Sequence, residues 1–196
     1  MKKIFLTLVL ILSLQSWTKA DDIKDFEIEG ISLGDSLLDH FSKNEIKKQL
    51  KRTTSNYASN KIVRNWFVIN SKTYDQITVH YKNDGSYKIV NIGGTILYNK
   101  NNMNECFPKM NEVINDIEKQ LPLAKKINKG KKPYSKDPTG KSYRKFTIFK
   151  LNKGEIYIGC VDWSKHIEDK NNWNDHFSVE LDSPEFINWL NNEAFK

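Results

Sequence analysis

Residues 30 to 34 read Gly-Ile-Ser-Leu-Gly, the G-x-S-x-G spacing that presents a nucleophilic serine on a sharp turn between a strand and a helix. The flanks suit it at first sight, with alternating "DFEIE" before it and Leu37, Leu38 and Phe41 at helix-like spacing after it. A hydrolase elbow, however, follows a strand buried on both faces, and such a strand reads as a continuous apolar run. Here Asp25, Glu27 and Glu29 fall on one face and Phe26 and Ile28 on the other. None of the four histidines, His40, His80, His166 and His176, lies in a recognisable partner motif. Ser32 is expected to serve a turn in which Gly30 and Gly34 take unusual backbone angles and Asp35 caps a short helical stretch.

The strongest polar signal lies further on. Between residues 125 and 145 stand nine basic residues, Lys125, Lys126, Lys129, Lys131, Lys132, Lys136, Lys141, Arg144 and Lys145, against the single acid Asp137, with Tyr134 and Tyr143 interleaved. Such a segment raises a positive potential that attracts anionic lipid head groups, polyanionic glycans or nucleic acid. The segment reads as a long polar loop punctuated by Pro and Gly, and loops of that length are functional or disordered. Its "SKDPTGKS" is no phosphate-cradling loop: that motif needs Gly where Ser135 stands, a buried strand before it and a helix after it. A surface turn at residues 138 to 140 is expected instead.

A third group, "HIEDKNNWNDH", gathers His166, Glu168, Asp169, Asp175 and His176, all side chains that ligate metals. The spacing fits neither a zinc-protease helix nor a calcium loop, and a solvated loop between strands is expected. No cofactor is expected. Trp173 in that stretch, if exposed, offers a stacking surface for a sugar, whereas Trp66, Trp163 and Trp189 are expected in the core.

The elements that must position these residues follow from periodicity. Ser42 and Glu45 form a capping box for a helix running to about residue 51, with Ile46 and Leu50 on one face. "KIVRNWFVIN", "KTYDQITVHYK" and "SYKIVNIGGTILY" read as a three-stranded meander, with Asn83-Asp84-Gly85 as a hairpin turn and Gly93-Gly94 as a bulge or bend. Cys106, Met110, Val113, Ile114, Ile117 and Leu121 mark an amphipathic helix over residues 103 to 121. "KFTIFKL", "EIYIGCVDW" and "HFSVEL" read as further strands, and Ser183-Pro184 starts a final helix. The short connections require antiparallel pairing. The expected fold is α+β: a six- to seven-stranded antiparallel sheet with helices packed on one face, arranged as two helix-plus-meander pseudo-repeats.

The N-terminus sets the compartment. Lys2 and Lys3, an apolar run over residues 4 to 14 and Thr18-Lys19-Ala20 form a signal peptide over residues 1–20. The run is too short to span a bilayer, which takes about 20 residues, and no second such stretch follows. Residues 21–196 are read as one domain, with halves at 21–100 and 101–196. Removing Lys2, Lys3 and Lys19 from the 31 basic residues leaves 28 against 24 acidic ones, a net of +4 rather than +7. That mild excess carries no specific nucleic-acid site. Cys106 and Cys160 are the only cysteines, an even number in an oxidising compartment. Pairing them would close a loop of about 55 residues, worth about 4 kcal/mol of chain entropy; two buried thiols are the alternative.

The stretch "DFEIEGISLGDSLL" resembles the opening of a family of uncharacterised exported (periplasmic) proteins from AT-rich marine alphaproteobacteria, over roughly residues 25 to 50, and the Lys/Asn/Ile bias of the chain fits that origin. The resemblance implies a periplasmic location and brings no activity or site residues with it. A looser similarity is to periplasmic lipoprotein domains of the outer-membrane assembly type, from which this chain departs in lacking a lipid-bearing cysteine.

These observations converge on an exported, periplasmic or secreted, monomeric α+β protein that binds rather than catalyses, with an anionic lipid or glycan of the envelope as partner at residues 125 to 145. The rival is a small hydrolase or metal-dependent enzyme using Ser32 or the residues between His166 and His176.

Overall fold

In the computed structural model, residues 22–50, 57–68, 73–98 and 103–196 are described; the expected signal peptide lies outside them. Strands β1 (Glu27–Ile28) and β2 (Ile31–Ser32) make a minimal hairpin, and helix α1 (Lys43–Leu50) follows. Strands β3 (Ile62–Val68), β4 (Gln76–Lys82) and β5 (Ile89–Tyr98) come next, then helix α2 (Met103–Gln120). Strands β6 (Lys125–Pro133), β7 (Tyr143–Leu151) and β8 (Gly154–Asp162), helix α3 (Lys165–Asn171), strand β9 (Asp175–Asp182) and helix α4 (Pro184–Asn192) complete the order.

The main sheet has seven strands in the order β3-β4-β5-β9-β8-β7-β6, every neighbouring pair antiparallel. It consists of two meanders joined by the β5–β9 pairing. The α+β antiparallel architecture expected from the sequence is therefore present, but its seventh strand is a different one. The acidic-faced "DFEIE" stretch stays out of the main sheet: Asp25 ends a 3-10 turn, and the positive φ of Glu29 (53°) and Gly30 (75°) folds the chain straight back on itself. The place is taken by β6, drawn from the expected basic loop. Its one aliphatic side chain, Ile127, pairs with Ile148, and the ladder with β7 supplies the backbone bonds that a loop of this length would otherwise leave to water.

One face of the sheet carries the core. Ile77, Val79, Ile92, Ile156, Ile158, Phe177 and Val179 are buried there with Cys106, Met110, Ile114 and Ile117 of α2. Cys106 and Cys160 are bonded, Cα 6.1 Å apart, which fastens α2 to β8 at the centre of that face. The other face is more polar. At one end α4 covers it, Phe186 tilted against the His80 ring (4.6 Å between centroids) beside Trp189, Val90 and Ile62. Ser183 caps α4 by accepting from Phe186 N, and Pro184 follows it, as the sequence suggests.

Two local expectations are corrected. Gly93 and Gly94 do not bulge. They continue β5 because a Cβ at Gly93 would meet Glu180 Cγ (2.9 Å) and one at Gly94 the Tyr74 ring (2.7 Å); the register shift falls instead between His80 and Tyr81. Leu50 is exposed, at 38%. Trp66 and Trp163 are half-buried, and among the expected core tryptophans Trp189 is the buried one. No helix among the described residues is long and apolar enough to cross a membrane.

Candidate functional site

The three sequence candidates land in different places. At the first, Ser32 lies in the extended strand β2, and it is Gly30 and Gly34 that adopt positive φ (75° and 97°). An elbow nucleophile would itself sit at the strained turn. The Ser32 hydroxyl donates to the Phe26 carbonyl (3.5 Å), while Oδ2 of Asp35 accepts from Ser32 N (3.0 Å) and contacts His40 Nε2 (3.0 Å). Ser, Asp and His thus share a turn, but no hydrogen bond joins Ser32 Oγ to a histidine among the described residues. Asp35 ties the turn together and does not cap the following 3-10 segment. Ser36 does so, accepting from Leu38 N (3.3 Å) with Asp39 as its capping-box partner.

At the second, residues 166 to 176 are not a solvated loop. Ser164 caps α3, so His166, Glu168 and Asp169 are helical, and Asp175 and His176 open β9. Glu168 and Asp175 are buried, and Asp169 pairs with Lys165. Asp175 accepts from Trp163 N (2.7 Å); burial pushes its carboxyl up to about 6, with Asp162 and Glu168 adding to the shift. Nδ1 of His176 donates to the Asn174 carbonyl (2.9 Å). No three of the acidic, histidine or cysteine side chains among the described residues come together as a metal-holding group.

The third candidate is an ordered ribbon. Strands β6 and β7 run antiparallel with Lys131 facing Lys145, Lys132 facing Arg144 and Lys125 facing Lys150. Facing like charges on a sheet are destabilising. At the far end from the hairpin loop the charges are matched, Lys126 with Glu118 (2.9 Å) and Lys150 with Glu155 (2.8 Å). At the loop end they lean on rings: Lys131 Nζ lies 3.3 Å from the Tyr143 centroid, Lys145 Nζ 5.1 Å from Phe107 and the Arg144 guanidinium 5.0 Å from Phe146. Tyr143 is pushed up to about 12 by burial and by its hydrogen bond to Asp162.

The loop joining the two strands, residues 134 to 142, is knotted around Asp137. That carboxylate accepts from Thr139 N (2.9 Å), Ser142 N (2.8 Å) and Ser142 Oγ (2.6 Å). Burial opposes its ionisation, but these bonds from Ser142 and Thr139 prevail and hold it well below the usual carboxylate range. Ser142 Oγ in turn accepts from Ser164 N (2.8 Å), so the loop is tied to the start of α3. Lys136 and Lys141 are carried, exposed, on this fixed frame.

A fourth group escapes sequence reading. From a loop residue across three strands, the Tyr57 hydroxyl bonds His80 Nε2 (3.0 Å), His80 Nδ1 bonds Asn91 Oδ1 (2.6 Å) and Asn91 Nδ2 donates to Asp182 Oδ1 (2.5 Å). Burial pushes His80 down to about 4 and Asp182 up to about 8, the latter helped by neighbouring Glu180. Glu180 is itself raised by burial, against the pull of Arg144. Period-two alternation in "TVHYK" and "SVELD" places these side chains on one face, but only strand order makes them neighbours.

Comparison with protein-family models, curated proteins and solved structures returns no match.

Proposed function

We propose that this chain is an exported, periplasmic binding protein whose β6–β7 ribbon takes an anionic component of the cell envelope. The observation that carries the reading is the register at the loop end of the ribbon, which sets Lys131 opposite Lys145 and Lys132 opposite Arg144. Lysines on an edge strand also discourage edge-to-edge pairing. That accounts for charges on β6, but not for Lys145 and Arg144, which stand on the interior strand β7. Two facing cationic pairs on opposite sides of one ribbon cost stability in the free protein, and an anion that bridges each pair offsets the cost. The bonded Cys106–Cys160 pair suits an oxidising compartment, and the N-terminal signal pattern and the family resemblance of residues 25 to 50 support the same placement.

The test is retention on heparin and on vesicles containing phosphatidylglycerol, measured against salt. The wild-type protein is expected to elute later than its net charge predicts, and Lys131→Glu with Lys132→Glu to abolish salt-sensitive retention. Retention unchanged by the double substitution discards the proposal.

A further inference from the structure

The open face of the ribbon carries rings as well as charges, in a fixed order. Lys132, Arg144, Val161 and His176 form one row across β6, β7, β8 and β9. Two residues further on, immediately past the ends of the strands, stand Tyr134, Ser142 and Trp163. There the rings meet: Tyr134 and Trp163 are 5.0 Å apart, Trp163 and Trp173 4.8 Å. Two residues the other way is Phe146, stacked on Tyr157 at 5.1 Å. Tyr157 reclines over Gly159, where any Cβ would meet its hydroxyl at 2.6 Å. Arg144 and Lys132 are exposed between these two aromatic rows, their backbone about 7 Å along the strands from each, with the Arg144 guanidinium leaning to 5.0 Å from Phe146.

We infer that this face binds an acidic polysaccharide, with Trp173 as the platform for a sugar ring and Lys132 and Arg144 taking the acid groups of the chain; the inference rests on the anion-binding reading above and names the class of its ligand. A lipid head group needs only the charges. A sugar ring adds an apolar face of C–H groups that packs on an aromatic ring while its acid substituent reaches a cation alongside. Trp173 is 41% exposed, so part of its ring is open to a ligand. It is also held in place. The left-handed Asn172 ends α3, Trp173 N donates to the Glu168 carbonyl (3.3 Å), and α3 starts from Ser164, whose N–H is bonded to the Ser142 hydroxyl beside Asp137. Rings and cations therefore share one rigid frame, and little ordering cost is left for binding. Single-stranded nucleic acid also combines stacking with a basic groove, but the paired cysteines favour a compartment where glycans are the abundant polyanions.

The test compares four probes on the full chain: polygalacturonate, poly-glutamate, phosphatidylglycerol vesicles and oligo-dT. Wild type is expected to bind polygalacturonate more tightly than poly-glutamate at equal charge and to change its tryptophan fluorescence on doing so. Trp173→Ala should weaken polygalacturonate binding about tenfold and leave vesicle and poly-glutamate binding unchanged, while Trp173→Phe restores most of the loss. Equal binding of polygalacturonate and poly-glutamate, or indifference to Trp173→Ala, overturns the glycan inference and leaves the anion reading standing. Preference for oligo-dT that depends on Trp173 overturns it in favour of nucleic acid. Binding to none of the four, at any salt, overturns the anion reading itself.

Discussion

Nδ1 of His80 donates to Oδ1 of Asn91 at 2.6 Å, and because the Asn91 amide nitrogen is committed to Asp182, this contact fixes the imidazole as the neutral Nδ1–H tautomer. The Tyr57 hydroxyl then donates to Nε2. Every member of the chain has its partner only while His80 is neutral and Asp182 offers an acceptor oxygen.

The pH dependence of stability follows from that chain. His80 falls from 6.5 to about 4 on folding, so its contribution is full above pH 6.5 and is lost as pH falls towards 4. Asp182 rises from 3.8 to about 8, so the folded state keeps a proton the unfolded chain has released, and stability declines as pH rises from about 4 to about 8. The two slopes oppose each other below pH 6.5, and above it only the acid's remains. Asp182→Asn, which keeps an acceptor for Asn91, should raise the melting temperature at pH 8 by roughly 3–6 °C and change it little at pH 4. Melting curves across that range check this, and an equal shift at every pH contradicts it.

Asp137 holds the ribbon's loop. Asp137→Ala leaves the buried Ser142 hydroxyl and the Thr139 and Ser142 amides without their acceptor, at a cost of about 1–3 kcal/mol. Urea titration should record that loss. Amide exchange should quicken at Thr139, Ser142 and Ser164 while the β5–β9 ladder stays protected.

The disulfide closes a separation of 54 residues. Replacing both Cys106 and Cys160 by serine should cost about 4 kcal/mol in the chain-entropy account, seen as a fall of about 10 °C in melting temperature. Adding reductant to the wild type should reproduce it, and the serine variant should not respond to reductant.

Ser32 serves the turn. Ser32→Ala keeps the backbone bond to Asp35 and loses only the long contact to Phe26 O, so stability should change by less than about 1 kcal/mol. A fluorophosphonate probe should leave the wild-type protein unlabelled; labelling at Ser32 would restore the hydrolase reading.

Much of the frame was legible because local and tertiary signals agree there. The apolar stripe of α2, the Asn83-Asp84-Gly85 turn and the Ser183-Pro184 start each carry their own cause. Strand β6 was not legible, since "KKINKGKKP" holds a single aliphatic residue and no period-two pattern; its pairing is imposed by β7. Helix α3 was hidden for a related reason: its cap, Ser164, is positioned by Ser142, twenty-two residues earlier. The charges at residues 125 to 145 were legible as a list, but their facing pairs came only with the register. The group of Tyr57, His80, Asn91 and Asp182 spans most of the chain, and no local spacing announces it.

Cys160 is also the register partner of Lys145, and Phe107, beside Cys106, lies beneath the Lys145 ammonium. The covalent bond between helix and sheet therefore sits directly under one half of the cationic pair. In a chain whose sulfurs are still reduced, nothing covalent holds the start of α2, with Phe107, against β8 beneath the Lys145 side chain, although the ladders of β7 remain. On the anion-binding reading proposed above, oxidation of Cys106 and Cys160 would set the support beneath Lys145, and capture would belong to the matured protein rather than to the newly made chain.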